Sequence, residues 1–322
     1  MNRRYPIWLI VALTPLVLGL CLLFGAEGLG LPSGPARRTI LYLRLNRVLA
    51  GLLVGAGLSS AGVVLQALLR NPLAEPYVLG ISSGAGLGAG LAILAGAAAV
   101  SFVAVPLSAF LAGMGTLLLV YRLASQRGGP SIYSLLLSGV IVSAMCSSIL
   151  MFVISIAPVQ GLHSVVWWML GNLEVYARGL LRLSGLVIPG GVLAIWLLAP
   201  ELNALTLGRE MAHHVGVRAH LAMAAGLTLA TLVAATAVAL SGLIGFVGLI
   251  VPHAMRLLVG PDHRRLVPAS ALAGGMFLAV CDAVARTVLA PREIPVGVIT
   301  ALLGGPFFLI LLRKRRARGW IE

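Results

Sequence analysis

The chain has 322 residues, 60% of them hydrophobic and only 10% charged, and its mean hydropathy is +1.04. That leaves too little polar surface for a soluble globular domain and marks an integral membrane protein. The net charge of +14, from 23 basic and 9 acidic residues, would suggest nucleic acid on a soluble protein; on this chain it reads as membrane topology.

A membrane-crossing helix takes about 20 apolar residues, so a chain of this length holds roughly ten. The spans drawn are 6–25, 45–68, 81–104, 106–123, 132–157, 183–200, 219–240, 243–258, 268–289 and 296–312. The fold class is therefore all-α, a polytopic bundle in one transmembrane domain over 1–322. Arg3 and Arg4 precede the first span, and Arg313, Lys314, Arg315, Arg316 and Arg318 form a basic tail over 313–322. Both termini are expected in the cytoplasm. The apolar run from Ile7 to Phe24 is too long for a signal-peptide core and reads as a retained span.

Arg37, Arg38, Arg44 and Arg47 then fall outside, against the positive-inside rule. Either they snorkel to headgroups, or Arg44 and Arg47, one helical turn apart, face outward as a docking point for carboxylates of an extracytoplasmic partner. Span two carries Gly51, Gly55 and Gly62 for close packing, and Gln66, which needs a partner in the bundle or water in a channel. The glycine-rich run 79–90 follows no strand, which excludes a dinucleotide loop. Ser131, Tyr133 and Ser134 stand at the mouth of span five, as a helix cap or as a gate. Trp167 and Trp168 mark 159–179 as an outside interfacial segment.

The loop 203–218 is long, polar and expected in the cytoplasm, as a surface helix or as a short helix that a soluble partner grips. Gly242, Gly245 and Gly248 recur every three residues, as along one side of a helix. Pro252 is expected to break that helix, after which Pro252, His253, Arg256, Asp262, His263 and Arg264 form a polar cytoplasmic elbow. Asp282 and Arg286 have the spacing of a helical ion pair, read as structural and near the outer surface. The stretch from Glu293 to Pro306 repeats in outline the one that starts at Glu75, which suggests inverted repeats over spans 2–5 and 7–10.

Lys314 is the only lysine and has no P-loop around it, so any ATP hydrolysis belongs to another polypeptide. Cys21, Cys146 and Cys281 are far apart in apolar sequence and read as structural thiols. The histidines at 213, 214, 253 and 263 lack carboxylates at metal-ligand spacing, so neither a metal site nor a catalytic residue is expected.

Taken together, Arg44-Leu-Asn-Arg47, Gln66 with 70–76, the 245–264 segment, Asp282 with Arg286, and 293–306 resemble the permease family of type II ABC importers for iron-siderophores, haem and cobalamin. The resemblance implies a single permease domain with about ten spans in the bacterial inner membrane. It implies a homodimer with two cytoplasmic ATPase subunits, on which ATP and Mg act, and an extracytoplasmic binding protein, with no cofactor on this chain. It also implies that Gly208, Glu210, Ala212 and Gly216 couple to the ATPase and that Arg44, Arg47 and Arg286 meet acids of the binding protein. Gln66, Ser131, Tyr133 and Ser134 remain as pathway or gate candidates. Asn46 departs from the family pattern, where proline is usual, and so does Pro261, where a small residue is common. The competing expectation is a carrier driven by an ion gradient.

Overall fold

The computed structural model describes residues 7–25, 28–30, 34–126, 129–175 and 177–316. In chain order its helices are α1 (Ile7–Leu23), α2 (Arg37–Leu68), α3 (Ile81–Leu94), α4 (Ala97–Val100), α5 (Ala104–Ala124), α6 (Ile132–Ser155) and α7 (Val159–Met169). They continue as α8 (Arg178–Leu197), α9 (Ala199–Thr206), α10 (Arg209–His214), α11 (Ala219–Ser241), α12 (Val247–Val259), α13 (His263–Thr287) and α14 (Val296–Arg316). Two short antiparallel ladders, Phe24–Gly25 with Gly28–Leu29 and Ser125–Gln126 with Gly129–Pro130, close hairpin turns. Arg3, Arg4, Arg318 and the two chain ends, whose side of the membrane the charge pattern assigned, lie outside the described residues.

Among the described residues six helices, α2, α5, α6, α8, α11 and α13, are long and apolar enough to cross a membrane, and four shorter apolar helices accompany them. Together they supply the ten expected segments with shifted ends. The second begins at Arg37, eight residues early, and the third stops at Leu94, ten residues short.

Helix α2 is the axis of the bundle, packed on α13, α11 and α12. Its small residues make this possible. A Cβ on Gly55 would overlap Gly274 O, and one on Gly62 would overlap Gly248 O, so backbones touch where side chains would hold them apart. Between these contacts Ser59 Oγ sits 2.7 Å from Gly55 O and 2.7 Å from Ser270 O.

Helices α3 and α12, of 14 and 13 residues, reach only about 20 Å, less than the ~30 Å of hydrocarbon. Each starts from a left-handed residue, Gly80 at φ 81° and Phe246 at φ 68°. The helical face expected through Gly242 and Gly245 is therefore absent, because 242–246 is irregular. That segment is tolerated because side chains satisfy its backbone. Tyr77 OH donates to Ile244 O at 2.6 Å and accepts the Ile244 N–H at 2.7 Å. Glu75 Oε2 accepts the Phe246 N–H at 3.2 Å, and Ser241 O accepts the Asn172 N–H at 2.7 Å. A left-handed phenylalanine costs about 1 kcal/mol or more. Its ring recovers contact against α14, where a Cβ on Gly304 would overlap it.

Pairing α2 with α11, α3 with α12, α5 with α13 and α6 with α14 maps the packing onto itself. Helix α3 touches α5 and α6 as α12 touches α13 and α14, and α2 packs on α12 and α13 as α11 packs on α3 and α5. The units match spans 2–5 and 7–10. Under this pairing the entry to α3 corresponds to the entry to α12, so the Glu75 and Glu293 stretches are not counterparts. Their contacts agree: Glu75 holds a backbone N–H, while Glu293 pairs with Arg47.

Candidate functional site

Two clusters occupy the two ends of α2. Arg47 and Gln66 are separated by roughly 28 Å along the helix, close to the thickness of the hydrocarbon core.

At the Arg47 end, Arg47 Nη1 donates to Glu293 Oε2 at 2.7 Å and lies 3.6 Å from Glu174 Oε1, while Nη2 donates to Asp282 Oδ1 at 3.0 Å. Arg286 Nε is 2.9 Å from Asp282 Oδ2, and its other nitrogens reach Phe24 O at 3.1 Å and Cys21 O at 3.5 Å. Arg44 donates to Gly30 O at 2.9 Å and Leu22 O at 3.2 Å. The Asp282–Arg286 pair expected from spacing is present. Of the two arginines expected to face outward, Arg44 is 6% exposed and the Arg47 side chain 12%, both already engaged within the bundle; Arg286 at 3% and Asp282 at 1% are buried with them. A buried carboxylate between two helices draws the guanidinium groups inward, since an unpaired charge there is far costlier than a paired one. A cavity of about 420 Å³ opens beside them, lined by Arg44, Arg47, Arg286, Glu174 and Glu293.

At the Gln66 end, α12 runs unbroken through Pro252, which sits inside the helix. His253 and Arg256 are therefore helical, and the turn comes later, at Gly260 to Asp262. A proline has no N–H for the carbonyl four residues earlier. That carbonyl, Gly248 O, accepts instead from Gln66 Nε2 at 3.3 Å, while Gln66 Oε1 accepts from Arg256 at 3.0 Å. Gln66 is thus a buried clamp between α2 and α12, 4% exposed. The same substitution recurs on α13. Pro268 leaves Arg264 O without its helical donor, and Trp196 Nε1 of α8 supplies one at 2.9 Å.

Asn203 of α9 completes this elbow. Its Oδ1 accepts the His263 N–H at 3.0 Å and lies 2.6 Å from His263 Nδ1, and its Nδ2 donates to Asp262 Oδ1 at 2.8 Å. Asp262 also caps α13 by accepting the Arg264 N–H at 3.1 Å. The Asn203 amide, followed by that backbone N–H and the charges of Arg264 and Arg265, holds the Asp262 carboxyl below its usual range.

Next to the elbow, α9 and α10 form two short helices hinged at Gly208, with φ 110°. Ala212, buried in the fold, anchors α10, and Gly216 at φ 83° ends it. Val217 N–H reaches Ala212 O and Gly216 N–H reaches His213 O, each at 2.9 Å, the paired bonds of a glycine C-cap. Glu210 is exposed, and Leu207, Met211 and Val215, four residues apart, are 65%, 52% and 63% exposed. Gly208, Glu210, Ser131 and Tyr133 border one cavity of about 450 Å³. Ser131 Oγ accepts the Ser134 N–H at 3.0 Å and so caps α6, while Tyr133 is 86% exposed. Gln66 is apart from these, in the elbow.

Glu174 and Trp196 carry no signal in the sequence, and the 203–218 loop does not announce that Asn203 ties the elbow or that Leu207, Met211 and Val215 are exposed. Leu207, Met211 and Val215 recur four residues apart, but the break at Gly208 keeps that spacing from being one helix face; the two prolines announced that Gly248 O and Arg264 O needed donors. Which donors answered them is a matter of tertiary contact.

The model of the FecCD transport family matches residues 13–314. The hemin transport system permease protein HmuU of Yersinia pestis is 40% identical over 283 residues, 86% of this chain and 84% of that protein. The cobalamin import system permease protein BtuC of Halobacterium salinarum is 41% identical over 276 residues, 86% of this chain and 73% of that protein. Among solved structures, an inward-facing conformation of a metal-chelate type ABC transporter aligns with a TM-score of 0.88 at 33% identity, over 96% of this chain and 98% of that one.

Proposed function

Because the chain belongs to the FecCD transport family, we propose that it moves an iron complex, a siderophore or haem, into the cytoplasm by alternating access. Family membership makes it the permease of an ABC importer for haem, cobalamin or iron chelates and a multi-pass inner-membrane protein. The cargo within that range, the cycle and the partner contacts are this proposal. A cargo of this size and polarity cannot dissolve in hydrocarbon. It would pass between two copies of the chain, driven by two ATPase subunits that hold ATP and Mg, and be delivered by a binding protein.

The observation that carries the reading is the exposed loop from Leu207 to Gly216, with its exposed Leu207, Met211 and Val215 and its unburied Glu210. Apolar side chains held out on a loop hinged at Gly208 and capped at Gly216 suit a surface that a soluble subunit covers. When ATP draws the two motor subunits together, the loops would follow and reorient the bundles. At the opposite end, acids of a binding protein would reach Arg47 by exchanging with Glu174 and Glu293, the two half-exposed carboxylates now paired with it. Arg44 and Arg286 would complete that docking site.

The test is uptake of labelled ferric siderophores, haemin and cobalamin by cells with and without the gene, with an uncoupler and with ATP depletion. Loss of one iron complex, surviving the uncoupler but not ATP depletion, is expected. Loss of cobalamin alone would replace the cargo, and sensitivity to the uncoupler alone would replace the energy source.

A further inference from the structure

Arg47 joins distant parts of the chain through one side chain. Its Nη2 is engaged by the buried Asp282, whereas Nη1 holds Glu293 at 2.7 Å and Glu174 at 3.6 Å, and the side chains of these two acids are 32% and 37% exposed. Glu174 lies just beyond the end of α7, and Glu293 just before the start of α14. Two carboxylates that share one cation repel each other once it is taken from between them.

The parts joined in this way meet backbone to backbone. A Cβ on Gly171 would overlap Leu243 O, one on Gly242 would overlap Trp168 O, and one on Gly297 would overlap Leu170 O. The end of α7, the irregular 242–246 segment and the start of α14 therefore touch at one junction. Helix α7 is lightly seated there: among its described residues Val165 alone is fully buried, while Val166 and Trp167 are 50% and 41% exposed. It also has room on both flanks. A cavity of about 370 Å³, bordered by Met169, Leu170, Val298 and Leu302, opens between its end and α14. Another of about 380 Å³, bordered by Trp167, Trp168, Val105 and Leu240, lies between it and α5 and α11. Glu174 lines this second cavity as well as the one beside the arginines. A short helix with few buried contacts and a void to either side is an element that moves before the core does.

We propose that Arg47, Glu174 and Glu293 form a latch on the outer side of the permease, with Glu174 and Glu293 as positioning residues for transport. Carboxylates that reach Arg47 displace the two acids, the acids repel, and α7 swings from α14 toward α5 and α11, widening the crevice beside Val298. Asp282 keeps Arg47 and Arg286 anchored throughout. The trigger rests on reading Arg47 as the docking point for a partner's acids; the latch itself does not.

The test uses the purified full chain in nanodiscs, carrying Cys21→Ala, Cys146→Ala, Cys281→Ala and Val298→Cys, and reads the rate of maleimide labelling. That rate is expected to rise roughly threefold in Glu174→Gln or Glu293→Gln and roughly tenfold in the two together, since each half-exposed ion pair contributes modestly. Leu205→Cys, placed instead of Val298→Cys at a buried position of α9 on the other side of the bundle, is expected to label equally slowly in all of them, which general loosening would not allow. Poly-glutamate is expected to speed labelling at Val298→Cys more than sodium chloride of equal ionic strength does, and to add nothing once both acids are Gln. An unchanged rate with both acids replaced, or faster labelling at Leu205→Cys as well, overturns the latch. Fast labelling with both acids replaced, but no response to poly-glutamate when they are present, keeps the latch and overturns Arg47 as the docking point.

Discussion

The two ends of α2 handle polar groups in opposite ways. At the Arg47 end three guanidinium groups meet three carboxylates and a ring of carbonyls, and little of the cluster is exposed. At the other end the elbow is tied just as fully by Gln66, Trp196 and Asn203, but the loop attached to it leaves Glu210, Leu207, Met211 and Val215 in the open. A self-satisfied cluster holds helices together and yields to a partner only by exchanging one ion pair for another. An unsatisfied surface contributes little to the fold and is free to be completed from outside.

That contrast orders the expected effects of mutation. Asp282→Asn removes the charge that two buried guanidinium groups share and should cost about 3–5 kcal/mol, seen as a large drop in thermal midpoint of the detergent-solubilised chain. A wild-type midpoint would mean the cluster is not a structural core at all. Gln66→Leu should cost about 1–3 kcal/mol by stripping Gly248 O of its donor. Since Pro252→Ala restores the helical N–H, the double variant should recover about 1 kcal/mol of that loss, and strict additivity in the cycle would reject the clamp. Trp196→Phe keeps an aromatic ring, smaller than indole, but not the Nε1–H and should cost about 1 kcal/mol, with the hydrogen-bond part recovered by Pro268→Ala in the same way. Glu210→Arg should leave the midpoint within about 0.5 kcal/mol while lowering ATP-driven uptake of the reconstituted importer. Unchanged uptake would strip the exposed loop of its proposed role and leave only its exposure to explain.

Much of this was legible in the residues. Hydropathy counted the apolar segments, because a segment that must bury every backbone group in hydrocarbon advertises itself in composition. The i, i+4 spacing of Asp282 and Arg286 gave the one ion pair, among the described residues, that lies within a single helix. Reading Pro252 as a break failed because a helix with a missing N–H survives when a neighbour supplies the donor, and that neighbour, Gln66, is 182 positions away from Gly248. Reading Gly242 and Gly245 as a helix face failed for the complementary reason. Glycine spacing looks the same in a helix and in an irregular segment, and only Tyr77 and Glu75 reveal that the latter's backbone is provided for.

The sequence by itself determined the solvent of the chain, the number of its apolar segments and the linear motifs of its family, since these depend on the composition of contiguous stretches. The tertiary structure alone decided which way Arg44, Arg47 and Arg286 point, that α3 and α12 begin inside the bundle, and that Glu174 and Glu293 meet on one nitrogen of Arg47. Those outcomes are set by electrostatic and hydrogen-bond partners brought together from distant positions, and no local pattern encodes which partner will be near.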